Sequence, residues 1–268
     1  MASNTTVVLI TGANRGIGKG LLETYLARPN HTVIGTVRDL KTSSNLSELP
    51  KNPSSSLIIV KIDSAYEADP FAAVRELESD HGISSLDIVV ANAAILKGFP
   101  KVEAVTSASM GEHYQVNVIG PVLLFQAVLP LMQKAFMPKF VTISSSAGSI
   151  GEMEQRPFPN AAYGPTKASL NYLTRKIHLE HEDIIAVPID PGWPESDMGN
   201  FAAATFGLPA AELTVADSVQ GLIAVYSPLA KALQRSNYKN KVTVFANPRT
   251  KRHSYTTLEP STTNTRLL

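Results

Sequence analysis

Tyr163 and Lys167 stand four residues apart in the segment AAYGPTK, residues 161–167. On a helix such a pair lies on one face, the ammonium close to the phenol. A phenol ordinarily titrates near pH ~10. A neighbouring cation favours the phenolate and brings the group toward proton transfer at neutral pH. The pair could therefore act as an acid on a carbonyl oxygen. Tyr and Lys at this spacing also occur on many solvated helices, so the chemistry requires a cofactor, a second hydrogen-bond donor and a place for a carbonyl.

The elements that must position the pair are legible from alternation along the chain. Short β-branched apolar runs at 7–10, 31–37, 57–62, 86–91, 140–144 and 184–189 read as strands. Helical patterns at 16–27, 67–80, 102–118 and 121–134 lie between them, which predicts a parallel sheet covered on both faces. The expectation is an α/β fold, a Rossmann-type doubly wound parallel sheet in a single domain spanning 1–247. A run at 237–246 reads as a further strand, and the polar, Thr-rich residues 248–268 as a disordered tail.

Composition narrows the function classes. The 268 residues carry a formal net charge of +1, 44% hydrophobic and 18% charged residues, and no cysteine. This balance points to neither nucleic acid nor an anionic membrane as a partner. Without cysteine, disulfides, thiol nucleophiles and cysteine-ligated zinc are excluded. The N-terminal apolar run has no basic region before it and breaks at Thr11-Gly12, so it reads as a strand rather than a signal peptide. No apolar run approaches the length of a membrane span, and a cytoplasmic protein is expected. His178 and His181 lack further ligands at zinc spacing, so no metal site is expected and both read as surface residues.

The first strand runs into Thr11-Gly12-Ala13-Asn14-Arg15-Gly16-Ile17-Gly18. Glycines at 12, 16 and 18 allow a tight turn, let backbone amides approach a pyrophosphate, and let the next helix begin close to the sheet with its positive end toward the anion.

TGANRGIG, ANAA at 91–94, Asn117 in YQVNVIG, the Ser144-Ser145-Ser146-Ala147-Gly148 run, YGPTK, and PGWPESDM at 191–198 occur in the order found in the short-chain dehydrogenase/reductase family. The chain resembles that family to about residue 200. Within it, the resemblance is narrower to fungal ketoreductases of the norsolorinic acid ketoreductase type.

The resemblance implies that Tyr163 is the acid, that Lys167 holds the nicotinamide ribose and lowers the phenol pKa, and that Ser145, with Ser146 as the competing assignment, donates a hydrogen bond to the developing oxyanion. It makes Asn117 the support of a water in a proton relay, although a helix-interrupting Asn satisfied by backbone would look the same. It assigns cofactor contacts to Gly12, Asn14, Arg15, Gly16, Ile17, Gly18, Asp63, Asn92, Ala93, Tyr163, Lys167, Pro191, Gly192, Trp193 and Ser196. Enzymes of this fold that use NAD carry an acid at the end of the second strand. Here Val37 takes that place and Arg38 follows it, with Arg15 as a second cation, so NADP(H) is expected.

Two departures stand out. The family usually reads PGxVxT where this chain has PGWPES, so Pro194 cannot offer an N–H to the nicotinamide carboxamide, and the family's final strand is not recognisable. The reading is an NADPH-dependent ketoreductase acting on a small-molecule ketone or an aromatic polyketide-type carbonyl, the alternative being a cofactor-bound regulatory or scaffold protein. Residues 151–160 are expected to wall the substrate site. The helix at 121–134, apolar around most of its circumference, suggests a homo-oligomer, a dimer or tetramer.

Overall fold

Strands of Val, Ile, Leu and Thr that are apolar on both sides must be covered on both sides. The computed structural model describes residues 5–155 and 157–227, and both the expected strand at 237–246 and the tail at 248–268 lie outside the described residues. Strands β1 (Thr6–Thr11), β2 (His31–Val37), β3 (Ser56–Lys61), β4 (Ile88–Ala91), β5 (Lys139–Ile143) and β6 (Ile185–Ile189) form one parallel sheet in the order β3-β2-β1-β4-β5-β6. This is the expected doubly wound Rossmann-type sheet in a single domain. The order reverses between β1 and β4, which places the crevice beyond their C-terminal ends at the topological switch point.

Alternation along each strand builds two cores. Val8, Ile10, Val33, Val90, Val187 and Ile189 pack under helices α1 (Gly16–Leu26) and α7 (Val215–Tyr226). On the opposite face Leu9, Ile34, Val89, Phe140 and Ala186 pack under α2 (Asp69–Ser79) and the helices described next.

The two helices expected at 102–118 and 121–134 are one continuous helical rod that starts later. Val102–Ala104 is a short tight turn, and Thr106 caps α3 (Ser107–Tyr114), its hydroxyl accepting from the Ser109 N–H at 3.1 Å. The rod then widens into a π-helical turn over Gln115–Ile119 and continues as α4 (Gly120–Met132). Wide turns of this kind often occur at functional sites. The joined rod, Ser107–Met132, contains an 18-residue stretch of mean hydropathy 1.6, long and apolar enough to cross a membrane, contrary to the sequence expectation. Because 61% of that stretch is buried within the protein, its apolarity belongs to the core.

Helix α5 (Gly164–Glu180) follows, and α6 (Asp197–Thr205) precedes α7. His178 and His181 on α5 and at its end are not the plain surface residues expected. His178 Nδ1 lies 3.2 Å from the Ile184 carbonyl beside β6, and burial lowers its pKa. The His181 ring meets Phe125 edge to face at 5.2 Å between centroids. Among the described residues, no group of three or more His, Cys, Asp or Glu is placed to hold a metal.

Candidate active site

The turn after β1 makes a cradle. Gly12 and Gly16 have φ of +65° and +53°, a region that side chains disfavour. A Cβ on Gly18 would overlap the Gly12 carbonyl oxygen and crowd Asn92 Nδ2, so only glycine lets α1 start this close to the sheet. No side chain caps the N-terminus of α1 and no acid lies in its first turn, leaving its positive end available to an anion. Asn92 locks the switch point open, its Nδ2 donating to the Thr11 and Gly12 carbonyls at 2.8 and 3.3 Å. The Asn92 and Ala93 N–H groups both donate to Thr11 Oγ1 at 3.0 Å.

Arg38 is exposed just past β2, and among the described residues it makes no ion pair. Asp39, its sequence neighbour, instead accepts from the Lys41 N–H at 3.0 Å. Arg15 is committed to Asp197 on α6 at 2.8 Å, but both side chains are at least 70% exposed, so the pair is worth at most about 1 kcal/mol and can exchange. Asp63, past β3, accepts from the Ala65 N–H at 3.0 Å. Asn14 and Ile17 are half-buried in the cradle, Ile17 against the core. A glycine cradle that any side chain would fill, an uncapped helix end and exposed guanidinium groups fit a dinucleotide.

Tyr163 and Lys167 lie in and before the first turn of α5, 8% and 2% exposed. The Lys167 ammonium sits over the phenol ring, 5.5 Å from its centroid, and donates to the Ile143 carbonyl at 2.7 Å. The Tyr163 hydroxyl is hydrogen-bonded to Ser145, whose Oγ also accepts from the Ala147 N–H at 3.1 Å. Ser145 is thus within reach of the phenol.

The electrostatics differ from the sequence expectation of an acidified phenol. Burial first, then the charge of Asp190, push the Tyr163 pKa well above its usual 10, while the bond to Ser145 pulls it down. The ammonium over the ring is held by the Ile143 carbonyl. Burial drives Lys167 down to about 8, with Asp190 pulling upward. Asp190 drew no attention in the sequence, although its place, directly after an apolar strand and before Pro191-Gly192, was a visible signal.

Asn117 lies in the π turn, buried, its Oδ1 accepting from the Ile95 N–H at 2.8 Å and its Nδ2 donating to the Ile95 carbonyl at 2.9 Å and to Thr166 Oγ1 at 3.3 Å. It therefore satisfies the loop leaving β4 and also reaches α5 beside Lys167.

The 191–198 segment forms the remaining wall. Gly192 adopts φ +74° and its N–H donates to Asp190 Oδ1 at 3.0 Å. The Pro191 carbonyl accepts from Ser218 Oγ at 2.8 Å, and Trp193 Nε1 donates to the Gly199 carbonyl at 2.9 Å. Pro194 bridges Leu213, and the Glu195 N–H donates to the Leu213 carbonyl at 2.7 Å, so the segment is pinned to 212–213. Ser196 caps α6, its Oγ accepting from the Gly199 N–H at 3.1 Å.

Above this wall Phe99, Phe158, Phe201 and Phe206 meet from three separate segments. Phe206 packs against Phe158 at 4.5 Å and Phe99 at 4.7 Å, and Phe99 stacks on Phe201 at 5.9 Å. Phe158 lies five residues before Tyr163, within the stretch expected to wall a substrate.

The short chain dehydrogenase family model matches residues 6–205. The chain is 44% identical to norsolorinic acid ketoreductase of Dothistroma septosporum over 226 residues, 83% of this chain and 84% of that protein. It is 43% identical to norsolorinic acid ketoreductase of Aspergillus parasiticus, over 82% of each chain. Among solved structures it is similar to an NADPH-bound carbonyl reductase from chicken fatty liver, with a TM-score of 0.73 and 33% identity over 83% of this chain and 91% of that one. A dehydrogenase cradle at the switch point, a buried Tyr and Lys one turn apart, and matches over four-fifths of the chain converge: this protein is a member of the short-chain dehydrogenase/reductase family of oxidoreductases.

Proposed function

We propose that the protein is an NADPH-dependent ketoreductase that reduces a ketone, of the aromatic polyketide type, with Tyr163 as proton donor. The observation that carries this reading is the buried Tyr163 hydroxyl, kept protonated by its surroundings and bonded to Ser145, beside a dinucleotide cradle at the switch point. A reduced nicotinamide cofactor, when bound, supplies hydride to the carbonyl carbon. Gly12, Asn14, Gly16, Ile17, Gly18, Asn92 and Ala93 would hold its diphosphate and adenosine, with Asp63 beside the adenine. Pro191, Gly192, Trp193 and Ser196 would border the nicotinamide.

The residues of the chain then handle oxygen and proton. Ser145 donates a hydrogen bond where negative charge develops, and Tyr163 transfers its proton to that oxygen. Lys167 holds the ribose and keeps positive charge beside the phenol. Asn117 joins the relay that returns a proton to Tyr163.

A preference for NADPH is supported by Val37 where an acid would hold a 2′-hydroxyl, by exposed Arg38 beyond it, and by the NADPH-bound avian relative. The flat aromatic class is supported by the four-phenylalanine cluster, which includes Phe158 of the segment leading to Tyr163, and by the ketoreductase names of the fungal relatives. The homo-oligomer is retained as part of the reading.

A panel of aryl ketones and quinones incubated with NADPH or NADH tests it. The expected result is consumption of NADPH in preference to NADH, a preference that Arg38→Ala erodes by the roughly 1.5–3 kcal/mol of a charge-assisted contact. Tight NADPH binding without turnover across the panel would instead support the regulatory reading.

A further inference from the structure

The face of the sheet that α5 covers is polar near its C-terminal edge. Thr142 Oγ1 and Thr174 Oγ1 are 2.9 Å apart, and Ser144 Oγ donates to Asn171 Oδ1, so even-numbered side chains of this part of the sheet meet α5. One turn nearer the crevice, Lys167 donates to the Ile143 carbonyl at 2.7 Å. Ile143 is paired with Ile189, and the Ser144 N–H donates to the Ile189 carbonyl at 2.8 Å. The next residue is Asp190, two alternations beyond Ala186 on the α5 side. Its Oδ1 is fixed by the Gly192 N–H at 3.0 Å, and the segment behind it is anchored by Ser218. A buried ammonium whose contact is a carbonyl dipole needs a counter-charge.

We propose that Asp190 is a positioning residue whose carboxylate supplies that counter-charge, keeping both the Lys167 ammonium and the Tyr163 hydroxyl in the protonated forms that carbonyl reduction requires. The proposal rests on the reading of Tyr163 as the proton donor. Its consequence is a bias in direction, because alcohol oxidation needs the phenolate that Asp190 disfavours.

Among the described residues, the following elements around the pair contribute no charge seen to compete with that of Asp190. The π turn Gln115–Ile119 presents Gln115 and Asn117, and the tight turn Ser146–Gly148 presents only Ser146. β5 carries Lys139 at its far end, donating to the Ser227 carbonyl at 3.1 Å. On the 92–106 loop and α3, Lys97 is paired with Glu112 at the surface and His113 is engaged with the Lys97 N–H and the Ser109 carbonyl. Glu195 is exposed, Arg15 and Asp197 pair with each other outside, and Asp217 is bound to Thr214. The effect of Asp190 is visible on both partners, since it raises the pKa of Tyr163 and of Lys167 alike.

The test is the pH profile of kcat/KM for ketone reduction in the full chain. Asp190→Asn keeps an acceptor for the Gly192 N–H and removes the charge. The alkaline limb should move down by about one pH unit, an approximately tenfold loss at a pH above the new limb. Asp190→Glu, which retains the charge, should leave the limb within about 0.3 unit of the parent. A purely structural role would lower turnover by one factor at every pH. An unmoved limb in Asp190→Asn overturns the proposal. Asp190→Ser, shorter but still an acceptor, should give the same shift and serves where the Asn variant does not fold. Tyr163→Phe, measured alongside, separates two failures: if it keeps its turnover the proton-donor reading falls, whereas lost turnover with an unmoved Asp190→Asn limb removes only the role of Asp190.

Discussion

Lys167 shows how far the site works against stability. Burial depresses its pKa from 10.5 to about 8. Between those values the unfolded chain binds more protons than the folded one, so this group makes stability rise with pH across that window, and its full cost is present below pH 8. That lowering corresponds to about 3 kcal/mol at pH 7. Lys167→Met removes that cost but leaves the Ile143 carbonyl without its donor, a loss of about 1–3 kcal/mol. In denaturant unfolding, the stability of the variant relative to the parent should therefore fall by about 2 kcal/mol between pH 7 and pH 9.5, since the relief it offers fades as the unfolded chain's lysine discharges. A pH-independent difference would show that burial does not lower the Lys167 pKa in the fold. The candidate site residues were legible because they fall in short motifs around turns that need glycine or a particular cap. The four phenylalanines were not, since their meaning comes from partners that are distant in sequence and meet only in the folded chain, and Asp190 had a visible place in the sequence but no partner visible there.

At the scale of elements, the six strands were readable to within two residues because the β-branched runs end at Gly12, Asn92 and Ser144 or at the charged residues Arg38, Asp63 and Asp190. The rod from α3 to α4 was not. Gly120 and Pro121 read as a break, yet they open α4 directly after a π turn at Gln115–Ile119, and no hydrophobic period distinguishes a widened turn from a gap. This also changes the argument for self-association. Leu124, Phe125, Val128, Leu131 and Met132 of α4 are buried in the core of the chain itself, against the sheet and α2. What faces outward is narrower: Ile119 at 40% exposure, with Val122, Leu123 and Leu129 partly covered. If that stripe is the contact between copies, sedimentation of the purified protein should give a mass at least twice 28.8 kDa, and Leu123→Glu should return it to one chain. A single-chain mass for the parent at micromolar concentration would contradict the homo-oligomer.

The described fold is a sheet whose strand order changes direction at one crevice, with the candidate site residues, apart from Asn117 in the π turn, on segments that leave the C-terminal ends of its strands or on the helix starts that follow. The cradle after β1, the Asn92 lock after β4, Ser145 after β5 and the pinned 191–198 segment after β6 are held by elements from opposite ends of the sequence. That common placement makes proton delivery by Tyr163 the central claim. The most direct measurement is turnover of an aryl ketone with NADPH by Tyr163→Phe, beside NADPH affinity by fluorescence titration of the same variant. The ring and its packing remain, so affinity should stay within about threefold, well under the 1.4 kcal/mol of a tenfold change, while turnover falls by at least the roughly hundredfold of general acid catalysis. Turnover retained in Tyr163→Phe would contradict the account.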